Sequence, residues 1–265
     1  MQAILSRLRN RQEGEIAALI LKNIRHGIAA LSAEQRHRRA ADRAFDRRWG
    51  TDTSRGVSVH DLGIDRSRIE QCNRYDPSST AMLRDPVAAL GIDPAIHHFI
   101  DYGAGKGRAM MLAIEMGFAR VSGIELSTRL CDIATANISH FAAQHPGMPP
   151  VRMVAADAAA FMPDGGDIVA YFYNPFDATV MNMVRNRLEG ALCRLTGRVV
   201  VIYANPEHGE VFADAPGWRQ GPSTPGVATF VAESERFRWR ALTGSGSDLS
   251  SGPSSPLSQG DGMTL

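Results

Sequence analysis

Apolar and polar residues alternate in a regular pattern through the middle of the chain. Short apolar runs predict strands at 98–101, 119–125, 151–154, 167–173 and 197–203, and amphipathic stretches predict helices at 106–116, 128–140 and 178–192. Nearly continuous apolar strands separated by helices are typical of a parallel sheet that is covered on both faces. Two later runs, at 227–231 and 237–242, predict further strands at an antiparallel edge. The pattern therefore predicts an α/β fold with a mostly parallel, seven-stranded sheet.

The segments that flank this alternation differ from it in composition. Residues 1 to about 48 are rich in Ala, Leu, Arg and Glu and contain no Pro, which predicts helix. Asp, Gly, Ser and Pro then dominate 49–95, a connecting region in which Thr80 is placed to cap a helix over 81–90. The final residues are mostly Ser, Gly, Pro, Asp and Gln, which is typical of disorder. We predict a helical extension and linker over 1–70, a main domain over 71–242 and a disordered tail over 243–265.

The charge balance excludes a chain-wide preference for polyanions, because 29 Lys and Arg face 28 Asp and Glu. Residues 1–48 are the exception, with eleven basic and five acidic residues, a net charge of +6. The preferred interpretation is a solvated helical cap packed on the main domain. A nucleic-acid-binding or substrate-binding arm and a membrane-surface helix are the alternatives.

The spacing of the cysteines and the length of the apolar stretches bear on the compartment in which the protein works. Cys72, Cys131 and Cys193 are far apart and form no C-x-x-C pair, so neither a metal site nor a disulfide framework is expected. This usage fits a reducing cytoplasm. Charged residues interrupt every long apolar stretch, so no membrane span is expected. The sequence leaves the oligomeric state open.

A glycine-rich turn follows the first predicted strand. Asp101 ends the strand, and Gly103, Gly105 and Gly107 follow at alternate positions. A dinucleotide-binding G-x-G-x-x-G motif needs its third glycine at position 108, which is Arg. An aspartate ahead of the glycines repels a pyrophosphate and attracts an ammonium group. The turn therefore favours a cationic ligand that carries no phosphate, such as S-adenosylmethionine.

Two further acids follow the next two strands. Glu125 ends the second strand, where a carboxylate can accept both ribose hydroxyl protons, and Asp157 follows the third, where it can accept from an adenine amino group. The carboxyl ends of parallel strands meet at one edge of the sheet, where α/β proteins bind their ligands. Each acid alone is equally explained as a helix cap or a solvated loop residue, but three at successive strand ends outline one ligand.

The motifs FIDYGAGKGR, VSGIELS, VAADAAAF and DIVAYFYNPF resemble the class I S-adenosylmethionine-dependent methyltransferase family over roughly residues 75–240. The resemblance implies a Rossmann-like fold with S-adenosylmethionine as cofactor. It also implies that Asp101 and the three glycines bind the methionyl part, Glu125 the ribose and Asp157 the adenine.

These motifs resemble those of a bacterial subgroup whose substrate is undefined. That subgroup is distantly similar to the nucleosomal-lysine methyltransferases of the non-SET type. In those enzymes a loop upstream of the first strand closes over the cofactor. The corresponding loop here runs from Tyr75 to Thr80. The sequence departs from the nucleosomal enzymes in this loop, so a histone substrate is not implied.

The fourth strand ends in a segment that suits a methyl acceptor. Asn174, Pro175 and Phe176 resemble the [N/D]-P-P-[Y/F] motif of amino-group methyltransferases, with one proline missing. In that motif an amide or carbonyl oxygen holds the target amine, and the aromatic ring faces the developing positive charge. The alternative is an Asn-Pro strand end with Phe176 in the core and Asp177 capping the next helix.

These observations predict a methyltransferase with an undetermined acceptor and a slight preference for an amine nitrogen, on a protein lysine or a small molecule. Two alternatives stay open. One is an NAD(P)-dependent oxidoreductase on a similar fold, and the other is a non-enzymatic protein that binds a partner or a nucleic acid.

Overall fold

The computed structural model describes residues 33–194 and 197–235, and seven strands in these residues form one sheet. The strands are β1 His98–Tyr102, β2 Arg120–Glu125, β3 Val151–Ala155, β4 Ile168–Tyr173, β5 Arg198–Ala204, β6 Arg219–Gln220 and β7 Val227–Glu233. Their order across the sheet is β3-β2-β1-β4-β5-β7-β6. Strands β1 to β5 are parallel, and β7 runs antiparallel to β5 and to β6.

The predicted mostly parallel, seven-stranded sheet is confirmed, and only its far edge differs. We expected 227–231 to lie at an antiparallel edge, but β6 pairs outside β7. Strand β6 has only two residues, Arg219 and Gln220, and both are exposed, so hydrophobic alternation gives no signal for it. The strand predicted at 237–242 and the tail at 243–265 lie outside the described residues.

Helices cover both faces of the sheet. They are α1 Ala33–Trp49, α2 Ala81–Ala89, α3 Arg108–Glu115, α4 Thr128–Ala142, α5 Ala178–Arg194 and α6 Glu210–Ala213, with 3₁₀ turns at Val59–Asp61, Arg66–Gln71 and Pro94–Ile96. Successive β1 side chains point to opposite faces, so Phe99 packs with α2, α3 and α4, and Ile100 packs with α5 and α6. In the part of the chain described here, no helix is long and apolar enough to cross a membrane.

The helix caps test two sequence predictions. Asp177 accepts from the Val180 amide at 2.9 Å, so its predicted cap is confirmed, and Ser127 likewise caps α4 by accepting from the Leu130 amide at 3.2 Å. The prediction for Thr80 was wrong, because its side chain makes no cap hydrogen bond. Its backbone is already helical, with φ −57° and ψ −39°, whereas a capping residue is normally extended.

Helix α1 packs against the main domain. This agrees with the preferred interpretation of residues 1–48 as a helical cap, for the part of that segment that the structure describes. Trp49 is buried and meets the Phe141 ring with 4.8 Å between centroids. The Asp46 carboxylate accepts four hydrogen bonds from the turn at 51–54, including the Ser54 amide at 2.7 Å. Burial alone would raise the pKa of Asp46, but the Thr53 and Ser54 hydrogen bonds lower it below its ordinary value. The domain boundary at residue 70 stays a prediction.

We predict that Asp46→Ala lowers the free energy of unfolding by about 2 kcal/mol, because it leaves several inward-facing donors without their acceptor. Urea unfolding followed by circular dichroism measures the change. Asp132→Ala is the control, since Asp132 is exposed on α4 and its removal is expected to cost less than about 0.5 kcal/mol. Equal losses in the two variants would show that Asp46 does not anchor α1.

Candidate cofactor site

The strand order reverses between β1 and β4, and a cleft of about 630 Å³ opens beside the carboxyl ends of these strands. Ligands bind at this switch point in open α/β sheets. The polar side chains that line it include Asp101, Glu125, Arg108, Tyr173 and Tyr75. Gly103, Gly105, Pro175 and Phe176 also line it, so the structure brings most of the predicted site residues together.

The Glu125 carboxylate shapes the glycine turn. Its Oε2 accepts from the Gly105 amide at 2.9 Å, and its Oε1 accepts from the Ser127 amide at 2.8 Å. Burial raises the pKa of Glu125, although the two amide donors oppose that rise. The end of β2 is therefore tied to the turn after β1 and to the start of α4.

Asp101 is a buried carboxylate with no hydrogen-bond or ion-pair partner in the described residues. It is 3% exposed and lines the cleft. Burial, followed by the nearby Glu125 carboxylate, raises the pKa of Asp101 to about 8. An uncompensated buried acid is costly, so its persistence at the cleft wall points to a cationic ligand.

The backbone of the turn passes very close to other groups. Gly105 has φ +54°, and a Cβ built on it would lie 2.2 Å from the Tyr75 ring. Gly103 has φ +81°, and its Cβ would lie 2.5 Å from the Pro175 side chain. Tyr75 is held in place because its hydroxyl donates to the Thr53 carbonyl at 2.9 Å. Tyr75 therefore covers the turn, where the resemblance implied a closing loop.

Thr80, the other end of the predicted closing loop, does not line the cleft. It is exposed at the start of α2. Between the two ends, Asp76 and Ser78 do line the cleft, and Ser78 accepts from the Tyr171 hydroxyl at 3.0 Å. Only the first part of the loop thus borders the site.

Two cations that follow the glycines are held by acids from upstream segments, which the sequence reasoning did not anticipate. The Lys106 ammonium lies 3.1 Å from the Asp52 carboxylate. Arg108 is 3% exposed and lies 3.7 Å from Asp42 and 3.9 Å from Asp46. Burial lowers the pKa of Arg108. Two acids four residues apart in an arginine-rich helix were the available signal, since they share one helix face.

Residues 71–73 pair with the segment after β4. Cys72 forms an antiparallel bridge with Phe176, and the Asp177 amide donates to the Gln71 carbonyl at 3.1 Å. The Asn73 amide donates to the Pro175 carbonyl at 3.0 Å. This pairing closes one side of the cleft with residues assigned above to a connecting region.

The oxygen atoms proposed to hold an amine already accept hydrogen bonds. Asn174 has φ +42°, its Oδ1 accepts from the Tyr203 hydroxyl at 3.1 Å, and its carbonyl accepts from the Asn73 side chain at 2.8 Å. The Pro175 carbonyl is engaged by the Asn73 amide. Phe176 combines both interpretations, because it packs in the core and also lines the cleft.

Asp157 is not part of the cleft lining, although it acts electrostatically on Cys72, which is. Its Oδ2 forms a 2.8 Å ion pair with Arg68, and its Oδ1 accepts from the Ala159 amide at 2.9 Å. Arg68 was not anticipated as a site residue. A carboxylate has room for about four hydrogen bonds, so two positions on Asp157 stay available.

On the opposite side, α1 reaches the end of β4. The Arg38 guanidinium donates to the Tyr173 hydroxyl and to the Pro77 carbonyl. Tyr173 lines the cleft next to Pro175, so Arg38 fixes a ring in the wall of the site. In the described ranges, no group of three or more His, Cys, Asp or Glu residues is arranged to hold a metal ion.

The comparison with solved structures found chains that match part of this one. Ribosomal protein L11 methylase from Lactobacillus delbrueckii subsp. bulgaricus is 16% identical, with a TM-score of 0.41 over 58% of this chain and 78% of that one. Magnesium protoporphyrin IX methyltransferase from Synechocystis PCC 6803, crystallised with bound S-adenosylmethionine, is 14% identical, with a TM-score of 0.43 over the same shares. No protein-family model and no curated protein matches the sequence. Both identities are below 25% and both TM-scores below 0.5, so neither protein's activity transfers to this chain.

We predict that Gly105→Ala destabilises the protein more than Gly91→Ala does. Both glycines have positive φ, but a Cβ at Gly91 meets nothing within 4 Å, whereas at Gly105 it meets the Tyr75 ring. The shared backbone cost is about 1 kcal/mol, and the clash at Gly105 adds about 1–3 kcal/mol. Urea unfolding of the two variants measures the difference. Equal losses would contradict the close approach of Tyr75 to the turn.

We also predict that Asp101 makes stability fall as pH rises. An unfolded aspartate ionises near pH 4, but the pKa of folded Asp101 is about 8, so the folded state holds the extra proton in between. Stability therefore decreases from about pH 4 to pH 8. Asp101→Asn should be less sensitive, gaining about 3–4 kcal/mol on wild type between pH 5 and pH 8 in urea unfolding. Asp132→Asn should follow wild type, and parallel curves for all three proteins would refute the assignment.

Proposed function

We propose that the protein is a methyltransferase that binds S-adenosylmethionine in the cleft at the β1–β4 switch point. The observation that carries the proposal is Asp101, a buried carboxylate at the cleft wall without a partner in the described residues. A methionyl ammonium supplies the missing positive charge and the hydrogen-bond donors. When bound, the sulfonium supplies an activated methyl group, and the protein mainly positions the acceptor.

The same turn disfavours a dinucleotide. A pyrophosphate normally takes free backbone amides at such a turn, but the Gly105 amide already donates to Glu125. Lys106 is engaged by Asp52, and Arg108 is held near Asp42 and Asp46. With the carboxyl groups of Asp101 and Glu125 both at the turn, a phosphate would find no unpaired positive charge there in the described residues. These contacts support methyl transfer over the NAD(P)-dependent alternative.

The remaining acids give the cofactor its orientation. Glu125 lines the cleft beyond the turn, and its oxygens can accept further hydrogen bonds from ribose hydroxyls. Asp157 retains room for an adenine amino group beside its contacts with Arg68 and Ala159. We therefore keep Glu125 for the ribose and Asp157 for the adenine, with Tyr75 covering the methionyl part. Thr80 has no role in this arrangement.

The methyl acceptor enters from the β4 side of the cleft. Tyr173 and Phe176 line it, and aromatic faces suit an acceptor nitrogen that becomes positively charged. The oxygens of Asn174 and Pro175 each accept one hydrogen bond, and a carbonyl oxygen can accept two, so they retain room for a target amine. Because Tyr173 and Phe176 line the cleft, we propose a slight preference for an amine nitrogen as the methyl acceptor.

We place this activity in a reducing compartment such as the cytoplasm. Cys72, Cys131 and Cys193 are all free thiols, and Cys131 is buried. Free thiols that persist without pairing are typical of reducing surroundings.

Calorimetric titration with S-adenosylhomocysteine tests the proposal. We expect wild type to bind, and Asp101→Asn to bind about 30-fold or more weakly, because a buried charge-assisted hydrogen bond contributes about 2–3 kcal/mol. Asp132→Asn is the matched control and should bind like wild type. The same titration with NAD and NADP should give no heat of binding.

Absence of binding by wild type to both S-adenosylmethionine and S-adenosylhomocysteine at millimolar concentration would refute the proposal. Binding that Asp101→Asn leaves unchanged would refute the role of Asp101 while retaining the cofactor. Thermal stabilisation by NAD or NADP instead would favour the oxidoreductase.

A further inference from the structure

Helix α1 carries a stripe of four exposed arginines. At about 100° per residue, Arg36, Arg39, Arg43 and Arg47 fall within about 80° of one another around the helix axis. All four are exposed, and none forms an ion pair with a described residue. We call these four residues the arginine stripe.

The described acids of α1 make their contacts inside the protein. Asp42 is buried near Arg108, and Asp46 accepts its hydrogen bonds from the turn at 51–54. The apolar residues Phe45 and Trp49 lie on this inward side too, packed in the core. The helix is therefore divided, with its described acidic charges used inside the protein and the stripe left to the solvent.

The stripe begins beside the cleft mouth. Arg38 contacts the Tyr173 hydroxyl in the cleft wall, and the next residue, Arg39, acts electrostatically on Asp76, which lines the cleft. The stripe spans about 16 Å along α1, from Arg36 to Arg47 at 1.5 Å per residue. A polyanion lying along it would pass the side from which the acceptor enters.

We propose that the arginine stripe binds the phosphate backbone of a nucleic acid, which presents the methyl acceptor to the cleft. This inference rests on the proposed function and gives its acceptor a class. A strand that lies along the stripe can bring one phosphate to each of the four arginines. Tyr173 and Phe176 at the cleft provide rings on which an unstacked base can lie. The exocyclic amine of a base belongs to the amine class kept above.

The other polyanionic partners fit less well. A helix that binds a membrane surface inserts an apolar face, but Phe45 and Trp49 are packed against the domain and the exposed side of α1 carries arginines and alanines. An acidic protein segment would satisfy the charges but has no flat base for the rings. A single strand satisfies both features.

The test uses the full chain and a fluorescently labelled, mixed-sequence single-stranded RNA of 20 nucleotides, with the matching DNA alongside. Fluorescence anisotropy measures affinity over a salt series. The stripe variant carries Arg39→Gln, Arg43→Gln and Arg47→Gln. The control variant carries Arg84→Gln, Arg152→Gln and Arg194→Gln, three exposed arginines outside α1. Circular dichroism confirms that both variants fold.

We expect the stripe variant to bind either strand about tenfold or more weakly than wild type at 0.1 M salt. The slope of log affinity against log salt should fall by about 2, at about 0.7 per lost phosphate contact. The control variant should stay within about twofold of wild type. Equal weakening in both variants, or no binding by wild type, would overturn the inference. So would stripe-dependent binding to poly-glutamate or phosphatidylserine vesicles that exceeds binding to RNA and DNA.

Calorimetry with S-adenosylhomocysteine separates this inference from the proposed function. The stripe variant should bind S-adenosylhomocysteine like wild type, because the stripe lies outside the cleft. If wild type binds RNA through the stripe but binds no S-adenosylhomocysteine, the proposed function fails and the nucleic-acid surface stands. If wild type binds S-adenosylhomocysteine but no nucleic acid, the inference fails alone.

Discussion

The pair of amide hydrogen bonds to the buried Glu125 carboxylate fixes the geometry on which the candidate site depends. Gly105 and Ser127 donate to its two oxygens, at 2.9 and 2.8 Å. One side chain thereby sets the path of the glycine turn and the start of α4, and it consumes an amide that a phosphate would otherwise use. Its negative charge also raises the pKa of Asp101, after the larger effect of burial. The Glu125 carboxylate therefore influences both the shape of the cleft at this end and the charge of the ligand that can bind there.

The segment that precedes the sheet in the sequence contributes residues to the site. Acids of α1 hold Arg108 and cap the turn at 51–54, while Tyr75 covers the glycines and Asn73 pairs with the end of β4. Because the described acids of α1 make contacts inside the protein, the exposed side of α1 is basic. The contacts that build the cleft wall therefore also create the charge pattern of the surface beside it.

The centre of the sheet could be predicted because β4 and β5 are buried along almost their whole length, so each is a nearly continuous apolar run in the sequence. The glycine turn and Glu125 could be located for a related reason, since strand ends bring them to one edge of the sheet. Contacts between distant segments could not be foreseen. Arg68 meets Asp157 across 89 positions and Arg38 meets Tyr173 across 135, and neither separation has a periodic signature.

Two local predictions lacked information that only the tertiary structure provides. The Asn174 motif did not show that Tyr203 and Asn73 donate to its oxygens, because a single sequence does not show which donors lie nearby. Thr80 has the right residue type for a cap, but its backbone is already helical and its side chain makes no cap hydrogen bond.

We expect the buried Asp101 carboxyl to bind a methionyl ammonium beside the turn that Glu125 holds. A crystal structure with bound S-adenosylhomocysteine would reveal this contact. The ligand amino nitrogen should lie within about 3 Å of Asp101 and the ribose hydroxyls at Glu125. A ligand bound elsewhere, or one bound in the cleft with its amino group away from Asp101, would refute this role of Asp101.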